Sequence, residues 1–264
     1  MLSFLSLLFD KGLSYSTINS TRSALSALGI LINGIPVGSD ENVKRFMKGV
    51  YLERPPQAKY KEIWDINVVV KHLKSFPQLE KLSLKELTLK LVMLLAITTA
   101  ARVDTLFKLS VDNYIQERDF ILLKFDSPLK QSKVGEKLGW LKVESYPEDK
   151  DLCVFTILKH YLEITKGLRK SDKLFVSIQS PHKAVTKQTI SRWLKIIMQK
   201  SGIDVKKYGV HSTRGAASSK AFVKHVPVDE ILDVGGWRRE TTFNKHYNLQ
   251  IGSNRSLFVS NILT

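Results

Sequence analysis

The sequence contains a single cysteine, Cys153, in 264 residues. That excludes an intramolecular disulfide framework and any zinc site built on several thiolates. Long apolar runs are missing too. The most apolar internal stretch, LTLKLVMLLAITTAA, is interrupted by Lys90 and too short to cross a bilayer, so it reads as a buried helix. The apolar start MLSFLSLLF has no basic segment before it and no small-x-small cleavage site before Asp10-Lys11-Gly12, so it reads as a helix end. The histidines, at 72, 160, 182, 211, 225 and 246, never fall at the H-x-x-x-H or H-E-x-x-H spacing of a metal-binding helix. No glycine-rich loop precedes a Lys-Ser/Thr pair, which argues against nucleotide hydrolysis, and no G-x-S-x-G elbow supports serine hydrolase chemistry.

Acidic residues are also scarce: 25 Asp+Glu face 41 Lys+Arg, for a formal charge of +16. The excess is uneven. Residues 1–164 contribute little of it, whereas residues 165–264 hold 18 Lys+Arg against 6 Asp+Glu, a local excess of +12. A membrane-surface helix sets its basic residues opposite a broad apolar face; here they recur through several helices and turns. Nucleic acid is therefore the better partner, and a membrane is not expected.

What is present has a clear order. Ser16-Thr17 opens a helix with apolar positions Ile18, Leu25, Leu28 and Ile32, followed by a turn at Asn33-Gly34. Ser39-Asp40 opens a second helix through Val43, Phe46, Met47 and Val50. Pro55-Pro56 stops it and favours extended chain, giving a linker at 56–62. Asp65 caps a helix carrying Val68, Val69 and Leu73, and Ser83-Leu84-Lys85-Glu86 is a capping box ahead of the buried helix. Residues 120–125 and 139–143 read as two strands around the lysine-rich turn SPLKQSKVGEK, and 174–178 as a possible further strand. Helices are expected over 153–164, 186–200 and, interrupted at Pro227 and Gly235-Gly236, from His211 onward.

Four strings in the chain are weak singly and specific together: TTAARVDTL at 98–106, HSTR at 211–214, GGW at 235–237 and HYN at 246–248. In this order they resemble the tyrosine recombinase (phage integrase) family, whose signature is an early Arg after a buried helix, a hairpin Lys, H-x-x-R, His or Trp, then Tyr. The longer strings LCVFTILKHYLEITKGLR, HSTRGAASSKAF and GGWRRETTFNKHYN look most like recombinases of DIRS-type retroelements and related eukaryotic proteins. The resemblance spans roughly residues 13–250.

The resemblance implies a mainly α fold with a small β-sheet (α+β). It divides the chain into a helical core-binding domain at 1–55, the linker at 56–62 and a catalytic domain at 63–264. MLSFLSLLF resembles the end of the first core-binding helix, most of which is then missing. Tyr247 is the implied nucleophile, giving a phosphotyrosyl bond and a free 5′ hydroxyl. Arg102 and Arg214 suit the phosphate because a guanidinium holds two oxygens through a planar fork. His211 is the implied general acid/base, and Lys130, with Lys133 as competitor, the acid for the leaving oxygen. Trp237 stands where His is common, and its indole N–H donates without shuttling a proton. Double-stranded DNA is the implied partner, with a homotetramer on two duplexes, no metal or other cofactor, no small-molecule substrate, and a nuclear location. A catalytically inactive or domesticated DNA-binding protein of this descent, and a type IB topoisomerase, are the alternatives. The apolar tail positions Leu257, Phe258, Val259, Ile262 and Leu263 fit a segment docked either on a neighbouring protomer or on its own domain. Each site residue also has a structural role open to it: Arg102 as an ion-pair partner of Asp104 or Asp112, His211 as a helix cap, Trp237 as a buried anchor.

Overall fold

In a computed structural model, which describes residues 1–57, 59–130, 132, 135 and 137–251, the chain divides into two units, Met1–Lys59 and Tyr60–Thr264. Lys133 and the apolar tail positions from 257 onward lie outside the described residues.

The first unit packs three helices, α1 (Leu2–Asp10), α2 (Tyr15–Ala27) and α3 (Glu41–Glu53), around Leu5, Ile18, Val37, Val43, Met47 and Val50. Between α2 and α3 lies a short hairpin of β1 (Leu31–Ile32) and β2 (Ile35–Pro36), turned by Asn33-Gly34. The expected helix through Ile32 is thus shorter than its apolar spacing suggests. It starts two residues earlier, with the Ser14 hydroxyl accepting from the Thr17 N–H at 3.3 Å, and it stops at Ala27, leaving Leu28 exposed. The stop is local: Gly29 takes φ +74°, and the Gly29 and Ile30 N–H groups return to the Ser26 and Leu25 carbonyls at 3.1 and 3.2 Å, so the chain turns off into the hairpin and Ile32 becomes a strand residue. The Ser26 hydroxyl accepts from the Gly38 N–H at 2.7 Å. Asp40 caps α3 as expected, accepting from Asn42 and Val43 at 3.0 Å each. Arg54 closes the unit by donating to the Phe9 and Leu13 carbonyls, with its guanidinium 3.7 Å from the Phe9 ring centroid.

The second unit opens with β3 (Glu62–Ile63) and α4 (Ile66–Lys74), capped by Asp65. Its centre is α5 (Leu84–Thr98), on which every residue from Leu87 to Ile97 is buried. A helix apolar on all sides belongs inside a core rather than on its surface. The capping box is formed in both directions: Ser83 Oγ accepts from the Glu86 N–H at 3.3 Å, and the Glu86 carboxylate accepts from the Ser83 N–H at 3.0 Å. Lys90 does not interrupt this core. It is buried with the rest, its ammonium 5.7 Å from the Phe76 ring, and burial lowers its pKa.

Beyond α5 come α6 (Val103–Phe107) and an antiparallel sheet of β4 (Leu109–Gln116), β5 (Phe120–Phe125) and β6 (Trp140–Glu144), in the order β4-β5-β6. The β5–β6 pair is the expected hairpin, with Ile121 opposite Val143 and Leu123 opposite Leu141. The sequence reading has no β4. Beyond Ser110 its residues are half-buried or exposed, and its register shifts between Ser110 and Ile115, so neither alternation nor an apolar run marks it. The strand expected at 174–178 is an extended segment with isolated bridges, Ser110 to Lys173 and Val176 to Ala184. Then follow α7 (Val154–Thr165), α8 (Lys187–Lys200), α9 (Ser212–Val223), α10 (Val228–Gly235), α11 (Glu240–His246) and β7 (Gln250–Ile251). Helices α7, α8 and α9 pack around α5, and β7 pairs in parallel with β3. The fold is therefore helix-rich with small sheets, as expected. Among the described residues no helix is long and apolar enough to cross a membrane.

Replacing the capping serine, Ser83→Ala, is expected to destabilise the second unit by about 1 kcal/mol without changing the cooperativity of unfolding, as read by urea titration.

Candidate active site

Arg214 occupies the third position of α9, in the first turn after the HSTR motif begins, and is only 2% exposed. A guanidinium at that depth needs acceptors. One Nη donates to the Ala100 carbonyl and the other to the Gly235 carbonyl at 2.9 Å. Both acceptors are presented by unusual backbone. Ala100, just past the end of α5, has φ +44°, a conformation that few non-glycine residues adopt, and it is buried. Gly235 ends α10, and Gly236 follows in the left-handed conformation at φ +65°. The carbonyls that hold Arg214 are therefore set by the chain reversals after two helices.

The GGW string has a steric reason. A Cβ placed on Gly235 would stand 1.8 Å from Cζ3 of Trp237, so the indole needs a glycine beneath it. Trp237 is 6% exposed and its ring covers the guanidinium, with the Arg214 carbon 4.3 Å from the ring centroid. Tyr247, the residue after α11, closes the stack: its ring centroid is 4.7 Å from that of Trp237 and 5.3 Å from the Arg214 guanidinium carbon. Phe243, fully buried, supports Trp237 from behind at 5.6 Å. Trp237 is thus both the buried anchor and a site component.

Arg102 caps α6 through its backbone, four residues past the end of α5. It lines the same 160 Å³ cavity as Arg214, together with Thr99, Ala101, Thr105, Gly235 and Gly236. Burial first, and the positive charge of Arg102 second, pull the Arg214 pKa down to about 10, while Tyr247 pushes it the other way. Arg214 therefore remains a cation at neutral pH. Its Nε and the Trp237 Nε1 are both buried and find no hydrogen-bond partner among the described residues. Two unsatisfied donors of this kind, beside two cations, fit an anionic ligand with several acceptor oxygens. Asp104, offered by the sequence as a partner for Arg102, is engaged by Lys187 and, at 2.8 Å, by Lys108. Burial works to raise its carboxyl, and those two ammonium groups outweigh it, so its pKa lies below the ordinary value.

Arg102, Arg214, Trp237 and Tyr247 are thus brought together from three distant stretches of chain. The other two expected residues are exposed and, like Trp237 and Tyr247, are not among those lining the cavity. His211 is exposed at the N-terminal end of α9, one turn before Arg214. Its neighbour Ser212 is buried, and accepts from the Trp64 indole N–H at 2.8 Å. Lys130 is exposed in the turn after β5, one residue beyond Leu129, which lines the cavity. Sequence reasoning missed Ala100 and Gly235, which act through backbone carbonyls that any residue type carries. The paired glycines before Trp237 were the one available signal.

Gly235→Ala is expected to displace the Trp237 ring, cost about 1–3 kcal/mol of stability, and shift tryptophan emission to longer wavelength, measured by thermal unfolding and fluorescence.

No curated protein sequence matches this chain. Solved structures match its fold. The XerH site-specific recombinase bound to palindromic difH substrate, in a post-cleavage complex, aligns with a TM-score of 0.58 at 17% identity, covering 91% of this chain and 65% of that one. The chain thus spans slightly less than two thirds of the XerH protein. The Tn1549 transposon integrase in complex with transposon right end DNA gives a TM-score of 0.60 at 14% identity, covering 99% and 82%. The XerA recombinase gives 0.55 at 14% identity, covering 98% and 90%. In sequence, residues 69–251 match the phage integrase family, a stretch that contains both arginines, the H-x-x-R motif, Trp237 and Tyr247. The chain belongs to the phage integrase family.

Proposed function

We propose that this protein is a site-specific DNA recombinase that cuts and rejoins DNA through a covalent bond between Tyr247 and a backbone phosphate. One observation carries the reading. Arg214 is locked in the interior by two carbonyls, has no partner for its Nε, and lies against the rings of Trp237 and Tyr247 in a cavity shared with Arg102. A phosphodiester supplies the negative charge and the acceptor oxygens that such a cluster lacks.

In the proposed step the Tyr247 Oη forms a bond to phosphorus as the bond to the 5′ oxygen breaks. His211 takes the phenolic proton, and Lys130 gives one to the departing 5′ oxygen. Arg102 and Arg214 hold the non-bridging oxygens, where charge accumulates in the transition state. The Trp237 indole N–H adds a neutral donor to the same oxygens. Attack by a 5′ hydroxyl from a second strand reverses every step, releases Tyr247 and completes the exchange. His211 and Lys130 are both exposed and so accessible to a DNA backbone. His211 begins the helix that carries Arg214, one turn before it, and the turn holding Lys130 follows Leu129, which lines the cavity.

The first unit is proposed to act as a helical DNA-binding arm, and double-stranded DNA as the partner of both units. The XerH and Tn1549 proteins were solved with DNA, which supports that choice. The excess of +12 in residues 165–264 supports it independently. We extend the reading to a homotetramer on two duplexes and to a mobile-element origin of the DIRS type with a nuclear site of action, on the strength of the strings around the H-x-x-R and GGW motifs.

The test uses duplexes that the chain itself enriches from a random-sequence library, nicked within the bound site. The natural chain is expected to form a covalent protein–DNA adduct on a denaturing gel, and Tyr247→Phe none. Arg214→Lys, which cannot reproduce the fork, is expected to slow adduct formation about 10²–10³-fold. Tight binding to these duplexes with no adduct from the natural chain would refute the enzymatic reading. A second measurement addresses the charge: log affinity is expected to fall steeply and linearly with log salt concentration, and a flat response would remove phosphate contacts from the account.

A further inference from the structure

We infer that Ser219 is the positioning residue of the nucleophile: a buried hydroxyl on α9 that ties down the chain on both sides of Asn248 and so fixes the direction in which Tyr247 points. This rests on the reading of Tyr247 as the nucleophile.

Ser219 is fully buried, five residues along α9 from Arg214. Its hydroxyl donates to the Tyr247 carbonyl at 2.7 Å, and its oxygen accepts from the Leu249 N–H at 2.9 Å. The Leu249 N–H also reaches the Tyr247 carbonyl, at 3.1 Å, so three hydrogen bonds close a small triangle. Tyr247 stands outside regular helix, with φ −129° and ψ −23°, where no continuing helical ladder would hold it. Its own N–H bonds back to the Phe243 carbonyl at 2.8 Å, fixing the near side. Two residues further on, β7 pairs with β3 over only Gln250 and Ile251. A two-residue ladder is a weak anchor. The Asn248 N–H also returns to the Phe243 carbonyl at 2.9 Å, within the same stretch of chain, and Ser219 makes the shortest side-chain tie that reaches this segment from another helix.

The geometry also gives the tie a purpose. Ser219 and Arg214 ride on the same helix, so one rigid element holds the phosphate-facing guanidinium and the backbone of the attacking residue. Any tilt of α9 then carries both together, keeping their separation constant. The adjacent Ser218 provides an internal contrast. It too is buried, yet its hydroxyl bonds to the Arg214 carbonyl of its own helix at 2.8 Å and lies 3.5 Å from the Tyr247 carbonyl. The two serines share chemistry and burial and differ in what they hold.

The test compares Ser219→Ala with Ser218→Ala in the full chain, by hydrogen exchange without DNA and by single-turnover adduct formation on nicked duplex at saturating protein. Ser219→Ala is expected to speed exchange in residues 249–251 about tenfold and to slow the adduct about tenfold, the equivalent of one hydrogen bond, with DNA affinity unchanged. Ser218→Ala is expected to alter neither. Ser219→Cys, which keeps a weaker donor and acceptor of similar shape, is expected to fall between, and it carries the comparison if the alanine variant does not fold. Wild-type exchange in Ser219→Ala, an unchanged adduct rate, or equal effects at both serines would overturn the inference. If the natural chain forms no adduct, the recombinase reading fails, and exchange alone decides whether Ser219 holds the segment.

Discussion

A guanidinium inside a protein must find acceptors or be expelled, and the second unit is arranged around that requirement. Arg214 is 2% exposed, and the groups that accept from it are the carbonyls of Ala100 and Gly235, each at the reversal after a helix. Breaking a buried, hydrogen-bonded charge away from its partners generally costs several kcal/mol. The ends of α5 and α10 and the first turn of α9 are therefore pinned to one another through a single side chain. The conformations at Ala100, φ +44°, and Gly236, φ +65°, follow as the local conditions for delivering those carbonyls.

From that knot the rest of the site is built outward in layers. Trp237 lies over the guanidinium, Phe243 behind Trp237, and Tyr247 against the indole at a tilt of 54°, so the Tyr247 ring is placed by contact with side chains that are themselves buried. Arg102 arrives by another route, at the backbone cap of α6, where its charge depresses the Arg214 pKa through space. The candidate residues divide in two: buried Arg214 and Trp237 with half-buried Tyr247 against them, and the exposed His211 and Lys130. Under the proposed chemistry this separates electrostatic preorganisation, which benefits from rigidity, from proton transfer, which needs access to the substrate.

Much of this was legible in the sequence, for identifiable reasons. Local signals were reliable where one side chain meets its own backbone. Asp40, Asp65 and the Ser83–Glu86 box all cap the helices expected of them. The β5–β6 hairpin was legible because Ile121, Leu123 and Phe125 alternate. Failures came where distant chain decides. β4 shows no pattern because most of it faces outward; Val68, placed on the apolar stripe of α4, is exposed, while Ile66, Val69 and Leu73 are buried. The early end of the helix from Tyr15 was instead a local signal passed over, Gly29 at φ +74°. At the site, side chains were legible and carbonyls were not. Arg102, Arg214, Trp237 and Tyr247 stand out by residue type, but nothing in the letters TTAAR says that Ala100 will turn its carbonyl toward an arginine 114 positions away.

The parallel pairing of β3 with β7 has a topological consequence. Glu62 lies opposite Gln250, and Ile63 opposite Ile251, so the strand near the start of the second unit runs beside the strand that follows Tyr247. Neighbouring strands are separated by about 5 Å. Points at nearly opposite ends of the unit's sequence are therefore adjacent in space, and the chain between them forms an almost closed loop. The pair can form only after the long chain between has brought its two ends together, which makes this seam a non-local contact of the fold.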